Sequence, residues 1–278
     1  MKPQYHVVSF SGGKDSTAML LHMLELGMQV DEILFCDTYM EFPEMIEHVD
    51  KVEKYIGRPI TRLRAEHSFE WYMFDQPHVK HPEMKGRLYP GPNNRWCTFY
   101  MKTYVIDKHL RELRKEFDLV QYIGIAADEQ RRVREKNYPL VEWGWTEKDC
   151  LEYCYNRGFT WGGLYEIFSR VSCWCCPLQS LPKMKALHDD FPQLWEKLRE
   201  YERRGSGVLY RGRPRTWFPR YSIPELEKRF KLEDEWNANG WELNTNSAEW
   251  RRALAIATGK GGQVSMFDNK EDTHGKID

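Results

Sequence analysis

Over the first 65 residues the apolar and polar positions change period in a regular order. Tyr5-His6-Val7-Val8-Ser9-Phe10 is a short apolar run of the kind that predicts a buried strand. Residues 15–28 carry Met19, Leu20, Met23 and Leu24 at helical spacing. Residues 31–36 (DEILFC) predict a second strand, 43–56 a second helix with proline at its start, and 59–63 a short third strand. Strand–helix–strand–helix order implies an α/β fold: an open, mostly parallel, twisted sheet with right-handed crossovers and flanking helices.

The pattern breaks over 65–94, where Pro77, Pro82, Pro90, Pro92, Gly86 and Gly91 accompany His67, His78 and His81. This predicts a long surface excursion. Helical spacing resumes over 98–117, and 118–126 (DLVQYIGIA) predicts another strand, ending in the polar loop Ala127-Asp128-Glu129-Gln130-Arg131-Arg132. Thr146 is placed to N-cap a following helix, with Asp149 at the capping-box position. Helices near 190–203, 223–237 and 245–257, with no strong strand after residue 145, predict a helical C-terminal appendage. The expected division is an α/β domain over 1–177, the appendage over 178–258, and a Gly-rich, polar, flexible tail over 259–278.

The 41 basic and 42 acidic residues give a net charge of −1, which excludes a globally basic nucleic-acid coat. No run approaches the roughly 18 apolar residues of a membrane span. The start, MKPQYHVVSF, has no apolar segment followed by a small-residue cleavage site, so the expectation is a soluble, cytoplasmic protein with no membrane partner. Seven cysteines, clustered at Cys173-Trp174-Cys175-Cys176, point to thiol or metal chemistry in a reducing compartment and not to a disulfide scaffold.

Ser9-Phe10-Ser11-Gly12-Gly13-Lys14-Asp15-Ser16 lies between the first strand and the first helix. Two adjacent glycines let the backbone approach a ligand, and amide groups converge there on an anion at the positive end of the helix dipole. Ser11 and Ser16 add hydroxyl donors and Lys14 a charge. The spacing is not that of a Walker A loop.

In this context the string resembles the PP-loop ATP pyrophosphatase superfamily, and within it the phosphoadenosine phosphosulfate reductase family. Four further segments carry the resemblance: Asp37-Thr38 with Glu41-Phe42-Pro43-Glu44; Arg95-Trp96-Cys97 with Lys102; Gly124 through Glu129 to Arg132; and Pro139-Leu140 leading to Trp145-Thr146-Glu147-Lys148-Asp149. Together they cover about 5–177. The resemblance implies cleavage of ATP between its α- and β-phosphates with Mg²⁺ as charge partner. Ser9, Ser11, Gly12, Gly13, Lys14, Asp15, Ser16, Asp37, Thr38 and Glu129 would then hold the nucleotide. Lys14, Asp15 and Arg132 would act in catalysis, Arg132 through its planar fork. Sulfonucleotide reductases of the family usually alter the phosphate loop and carry a nucleophilic Cys in a C-terminal Glu-Cys-Gly-x-His-type segment. Here the loop is the full ATP type, and no Cys follows Cys176.

Cys173-x-x-Cys176 followed by Pro177 has the spacing of a metal-binding turn. Relatives with a [4Fe–4S] cluster place cysteines at these points, which implies Cys97, Cys173 and Cys176 as ligands, with Cys175 as a fourth or with one iron left open. A structural zinc and unligated buried thiols remain as alternatives. Cys36, Cys150 and Cys154 are expected in the core.

Six arginines and no acidic residue lie between Arg203 and Arg220, interleaved with Tyr210, Trp217 and Phe218. Arg211, Arg213, Arg215 and Trp217 are the candidates for contact with nucleic acid, against the alternative of a solvated loop. In the tail, Gln263-Val264-Ser265-Met266-Phe267 resembles the short peptide that docks bacterial DNA enzymes on the sliding clamp, through Gln263, Met266 and Phe267, with chance as its rival. The combined expectation is an adenylating ATP pyrophosphatase in sulfur transfer to nucleic acid. It resembles the ATP-using component of DNA phosphorothioation systems, with DNA favoured over tRNA and a cysteine desulfurase as sulfur donor. The rivals are a sulfonucleotide reductase, a tRNA thiolase, and a non-enzymatic ATP- and DNA-binding scaffold.

Overall fold

The structure, a computed structural model, describes residues 1–79, 85–134, 136–171, 173–206, 209–210, 213–218 and 220–259, with 209–210 and 213–214 placed by backbone alone. Four strands, β1 (Gln4–Ser9), β2 (Glu32–Asp37), β3 (Thr61–Arg64) and β4 (Asp118–Ile123), form an all-parallel sheet in the order β3-β2-β1-β4. Val8 pairs with Ile33 on one side and Tyr122 on the other. Helices α1 (Lys14–Glu25) and α2 (Pro43–Ile56) make the first two crossovers.

Alternation along the strands sends Val7 and Leu34 to one face, where Leu110 of the helix Tyr104–Leu113 packs on them with Ile106, Leu113 and Leu63 around. Val8, Ile33 and Phe35 point the other way and are equally buried. A parallel sheet covered on both faces has no solvated side. That is why β1 and β2 read as continuous apolar runs.

The excursion over 65–94 differs from the surface loop expected. Phe69, Tyr72, Met73 and Tyr89 are buried, and Trp71–Asp75 forms a π-helical turn. Proline and glycine interrupt the helical period, but rings can be buried from an irregular backbone whose amides bond locally, as Arg87 N–H does to Tyr72 O (2.9 Å). The segment resumes as the short helix Trp96–Thr98, a second π-helical turn Phe99–Thr103, and the helix Tyr104–Leu113. The capping box at Thr146 forms: its Oγ1 accepts from Asp149 N–H (3.2 Å), and Asp149 Oδ2 accepts from Thr146 N–H (2.8 Å). It starts the helix Glu147–Tyr155, which buries Cys150 and Cys154 as expected.

The chain divides into two compact units, Met1–Leu194 and Trp195–Asp278. The first includes a helix not foreseen, Leu181–Asp190. The second holds most of the helix Pro192–Arg204, the helices Ile223–Ala238 and Ala248–Thr258, and a core containing Trp195, Trp217, Phe230 and Trp250. It also contains two antiparallel two-residue strands, Leu209–Tyr210 and Arg213–Pro214, too short to leave a period in the sequence. Among the described residues no helix is long and apolar enough to cross a membrane.

Candidate functional site

The sheet grows outward from β1 through β2 to β3, and β4 then adds on the opposite edge of β1. The carboxyl ends of β1 and β4 therefore flank a topological switch point, where an open α/β sheet leaves a crevice. Two glycines shape it. Gly12 has φ +77°, and a Cβ there would lie 2.6 Å from Met45 Sδ, so both conformation and space require glycine. Gly124, just past β4, faces backbone: its Cβ would stand 2.7 Å from Ser16 Cα and 2.8 Å from Ser16 N. Gly13 is the N-cap of α1 and supplies no side-chain cap of its own, so only a group from elsewhere can meet the positive end of that helix.

Hydrogen bonds fix the loop. Ser11 N–H donates to Ser16 Oγ (3.1 Å), and Ser16 Oγ–H reaches Gly13 O (3.1 Å). From behind, Trp161 Nε1–H donates to Gly12 O (2.7 Å). Tyr165 Oη accepts from Lys14 N–H (2.9 Å). The buried Lys14 ammonium donates to Glu147 Oε2 (2.5 Å) and lies 3.5 Å from Asp15 Oδ1. Asp15 Oδ1 is itself buried without a hydrogen bond. Burial pushes the Asp15 carboxyl up to about 6; Lys14 opposes this, while Glu147 and Glu129 add repulsion. Under the loop His48 Nε2 and Thr17 Oγ1 are 3.0 Å apart, and the imidazole stacks on Trp161 at 4.2 Å. Burial, helped by Lys51, pushes His48 down to about 3, so it is a neutral brace.

Ser11, Gly13, Lys14 and Asp15 line one cleft together with Glu129 and Arg132 from the loop after β4. Arg132 is held by Glu129 (2.5 Å) and is otherwise exposed. Glu41, Lys102, Glu147, Tyr165, Arg170 and Cys173 complete the wall. Ser9 stays in the sheet, paired with Leu34 and Ile123, while Gly12 and Ser16 support the loop. Asp37 is engaged within the protein: Oδ2 accepts from Arg64 Nε–H (2.9 Å) and Oδ1 from Tyr39 N–H (2.8 Å). Thr38 Oγ1–H donates to Glu41 (2.8 Å). These two residues shape the turn after β2. Sequence reasoning missed Trp161, Tyr165 and Arg170. The available signal was Trp161-Gly-Gly-Leu-Tyr165, in which Gly162 and Gly163 both have positive φ, but its rings read as ordinary core.

The cysteines gather beside the cleft. Cys173 Sγ is 3.7 Å from Thr38 Oγ1 and 4.0 Å from Glu41 Oε1. Cys97, Cys175 and Cys176 are close enough to Cys173 or to one another for each charge to be felt. Cys36, expected in the core, is half-buried and belongs to this group: its Sγ–H donates to Met101 O (2.9 Å), and it feels both Lys102 and Cys173. Its position near the carboxyl end of β2 places it there. Burial pushes Cys36 and Cys173 to about 11. The Lys102 ammonium, 3.7 Å from Glu41 Oε1, is pushed up, chiefly by Cys173. Among the described residues no three His, Cys, Asp or Glu side chains converge as a bound metal ion requires, and this holds for a [4Fe–4S] cluster on Cys97, Cys173, Cys175 and Cys176 as it does for zinc.

Of the arginine and aromatic candidates, Arg211 lies outside the described residues, Arg213 pairs with Tyr210 in the short hairpin, and Arg215 is half-buried. Trp217 is 1% exposed and stacks on Tyr201, 5.7 Å between centroids. The expectation of a ring free to stack on a base is therefore corrected: the indole is core. Gln263, Met266 and Phe267 lie outside the described residues.

Residues 5–179 match the phosphoadenosine phosphosulfate reductase domain family. An uncharacterized protein of Methanocaldococcus jannaschii is 30% identical over 227 residues, 74% of this chain and 44% of the relative. A second from that organism is 23% identical over 201 residues, 68% of this chain and 45% of the relative. The chain thus spans less than half the length of these relatives. The crystal structure of phosphoadenylyl-sulfate reductase from Candida auris, a phosphate complex, aligns at a TM-score of 0.46 and 16% identity, covering 63% of this chain and 83% of that one.

Proposed function

The chain belongs to the phosphoadenosine phosphosulfate reductase family, and from that premise we propose that it is an ATP pyrophosphatase serving sulfur transfer to nucleic acid. ATP would be cleaved between its α- and β-phosphates. The adenylyl group would pass to an acceptor oxygen, and pyrophosphate would leave. The observation that carries the reading is the loop at the switch point: Gly12 in the left-handed region, Gly124 against the backbone of Ser16, and the start of α1 beside the Lys14 ammonium. Such a cradle suits a polyphosphate, whose oxygens accept from main-chain amides and lysine.

Ser11, Gly13 and Lys14 would bind the departing pyrophosphate. Arg132, freed from Glu129, would neutralise charge on the α-phosphate. A Mg²⁺ ion would draw on the Asp15 carboxylate, whose Oδ1 is buried without a hydrogen bond, and on oxygens of the phosphates themselves. Held there, it would supply charge neutralisation on the phosphates. The cysteines are neighbours of Lys102 and Glu41, and Cys173 opens on the same cleft as Lys14, which supports sulfur chemistry next to the nucleotide. DNA in preference to tRNA as acceptor, a cysteine desulfurase as donor, the Arg211–Arg213–Arg215 patch as a nucleic-acid contact, and sliding-clamp docking through Gln263, Met266 and Phe267 are parts of the same proposal.

The test is pyrophosphate release from ATP under anaerobic conditions, with and without DNA or tRNA. Release stimulated by one nucleic acid supports the reading and identifies the acceptor. Sulfite release from phosphoadenosine phosphosulfate with thioredoxin, and no pyrophosphate from ATP, would replace it with the reductase. Nucleotide binding without either product would leave a scaffold.

A further inference from the structure

Lys14 offers an anion in this cleft two donor groups, its main-chain N–H and its ammonium, and each already gives a hydrogen bond to an oxygen of the protein. Tyr165 Oη accepts from its main-chain N–H at 2.9 Å, and Glu147 Oε2 accepts from its ammonium at 2.5 Å. The two oxygens arrive on separate elements, Tyr165 on the short helix Leu164–Ile167 and Glu147 at the first position of the helix Glu147–Tyr155.

The Tyr165 hydroxyl sits directly over the glycine loop: a Cβ added to Gly13 would come within 3.3 Å of Oη. Its ring is held edge-on to Trp161, 4.8 Å between centroids, and the Lys14 ammonium is 5.6 Å from the ring centre. Burial, with the Asp15 and Glu147 carboxylates nearby, keeps the phenol protonated. A neutral hydroxyl is a weaker acceptor than a phosphate oxygen, so exchange of one for the other on Lys14 N–H is favourable once a polyphosphate arrives. Glu147 is a stronger competitor, being a carboxylate that offers the ammonium what a phosphate would.

We propose that Tyr165 and Glu147 form an internal latch, two protein oxygens standing in for phosphate oxygens on Lys14, which the nucleotide must displace and which re-forms as pyrophosphate leaves. The proposal rests on the reading of this loop as a polyphosphate site. The latch lowers affinity for the product as well as the substrate, and it couples occupancy of the loop to release of the segments bearing Tyr165 and Glu147.

Calorimetric titration of the full chain with inorganic pyrophosphate, without added divalent metal, tests it on wild type, Tyr165→Phe, Glu147→Gln and the double variant. Removal of one competing hydrogen bond should tighten binding about 2- to 10-fold, and the double variant should bind tighter than either single one. A damaged fold does not produce a gain in affinity, so tightening in both single variants supports the latch. If either single variant binds no tighter than wild type, the paired latch is wrong while the loop site stands. If neither wild type nor any variant binds pyrophosphate, the polyphosphate reading fails and the latch with it.

Discussion

Gly124→Ala probes the switch point without touching a polar group. Gly124 is not among the glycines in the left-handed region, so alanine adopts its backbone without strain, and the whole effect comes from one methyl group. That methyl would stand 2.7 Å from Ser16 Cα, 2.8 Å from Ser16 N and 3.1 Å from Asp15 C. Carbon pairs rest near 3.5–4.0 Å, so the end of β4 and the start of α1 must part by about 1 Å. All three obstacles are main-chain atoms and cannot rotate away. The cost should fall in the upper part of the overpacking range, about 2–3 kcal/mol. For a cooperative unit of this size that lowers the melting temperature by about 4–12 °C. The same displacement moves the amides of residues 13–16 relative to Arg132, so pyrophosphate release should fall about 10- to 100-fold. Gly91→Ala is the control: its Cβ meets nothing within 4 Å, and the variant should melt within about 1 °C of wild type or slightly above it. Thermal unfolding of the three proteins with a pyrophosphate-release assay decides. If Gly124→Ala melts with Gly91→Ala and retains full turnover, the close approach of β4 to α1 is not a constraint on this fold.

Three further outcomes are expected. Asp15 holds its proton more tightly folded, at about 6, than at its ordinary 3.8, so it lowers stability progressively as pH rises from about 4 to 6 and keeps it lowered above. Asp15→Asn should therefore melt with wild type near pH 4, be more stable by about 1–3 kcal/mol at pH 8, and release no pyrophosphate; a less stable variant at pH 8 would contradict the burial argument. His48 has the opposite sense: its proton affinity is lower folded, at about 3, than at its ordinary 6.5, so stability is lost as pH falls through that window. Melting curves of His48→Gln should show a shallower acid slope than wild type between pH 6.5 and 4, and parallel slopes would place the titration elsewhere. Trp161→Phe keeps the packing on His48 but deprives Gly12 O of its 2.7 Å donor, which should cost about 1–3 kcal/mol by chemical denaturation and raise the KM for ATP; unchanged values for both would show that the indole does not brace the loop.

The parallel sheet and the loop after β1 were legible because their causes are local. Val7-Val8 and Ile33-Leu34-Phe35 are apolar on consecutive positions because both faces of each strand are covered, and the glycine pair announces a turn whose first residue, Gly12, takes the left-handed backbone that disfavours a Cβ. The Thr146–Asp149 cap is a contact three residues apart, within reach of a pattern. Trp217 shows where pattern stops: an aromatic between arginines reads as a stacking platform, yet burial against Tyr201 depends on a helix that begins 25 residues earlier. Cys36 shows the same from the other side. A cysteine near the end of an apolar strand reads as core, and only the position of Met101 and Lys102, 65 and 66 residues further on, puts its thiol beside Cys173.

Order along the chain thus dictated which segments become strands and helices, since backbone preference and the period of apolar side chains act over a few residues. Which oxygens close on Lys14, how Cys36 and Cys173 come beside Lys102, and which carboxylates press on Asp15 were set by the packing of elements more than 130 residues apart for the first, more than 60 for the second and over 100 for the third. Those contacts follow from crossover geometry and desolvation, and neither is encoded in the spacing of residues along a strand or a helix.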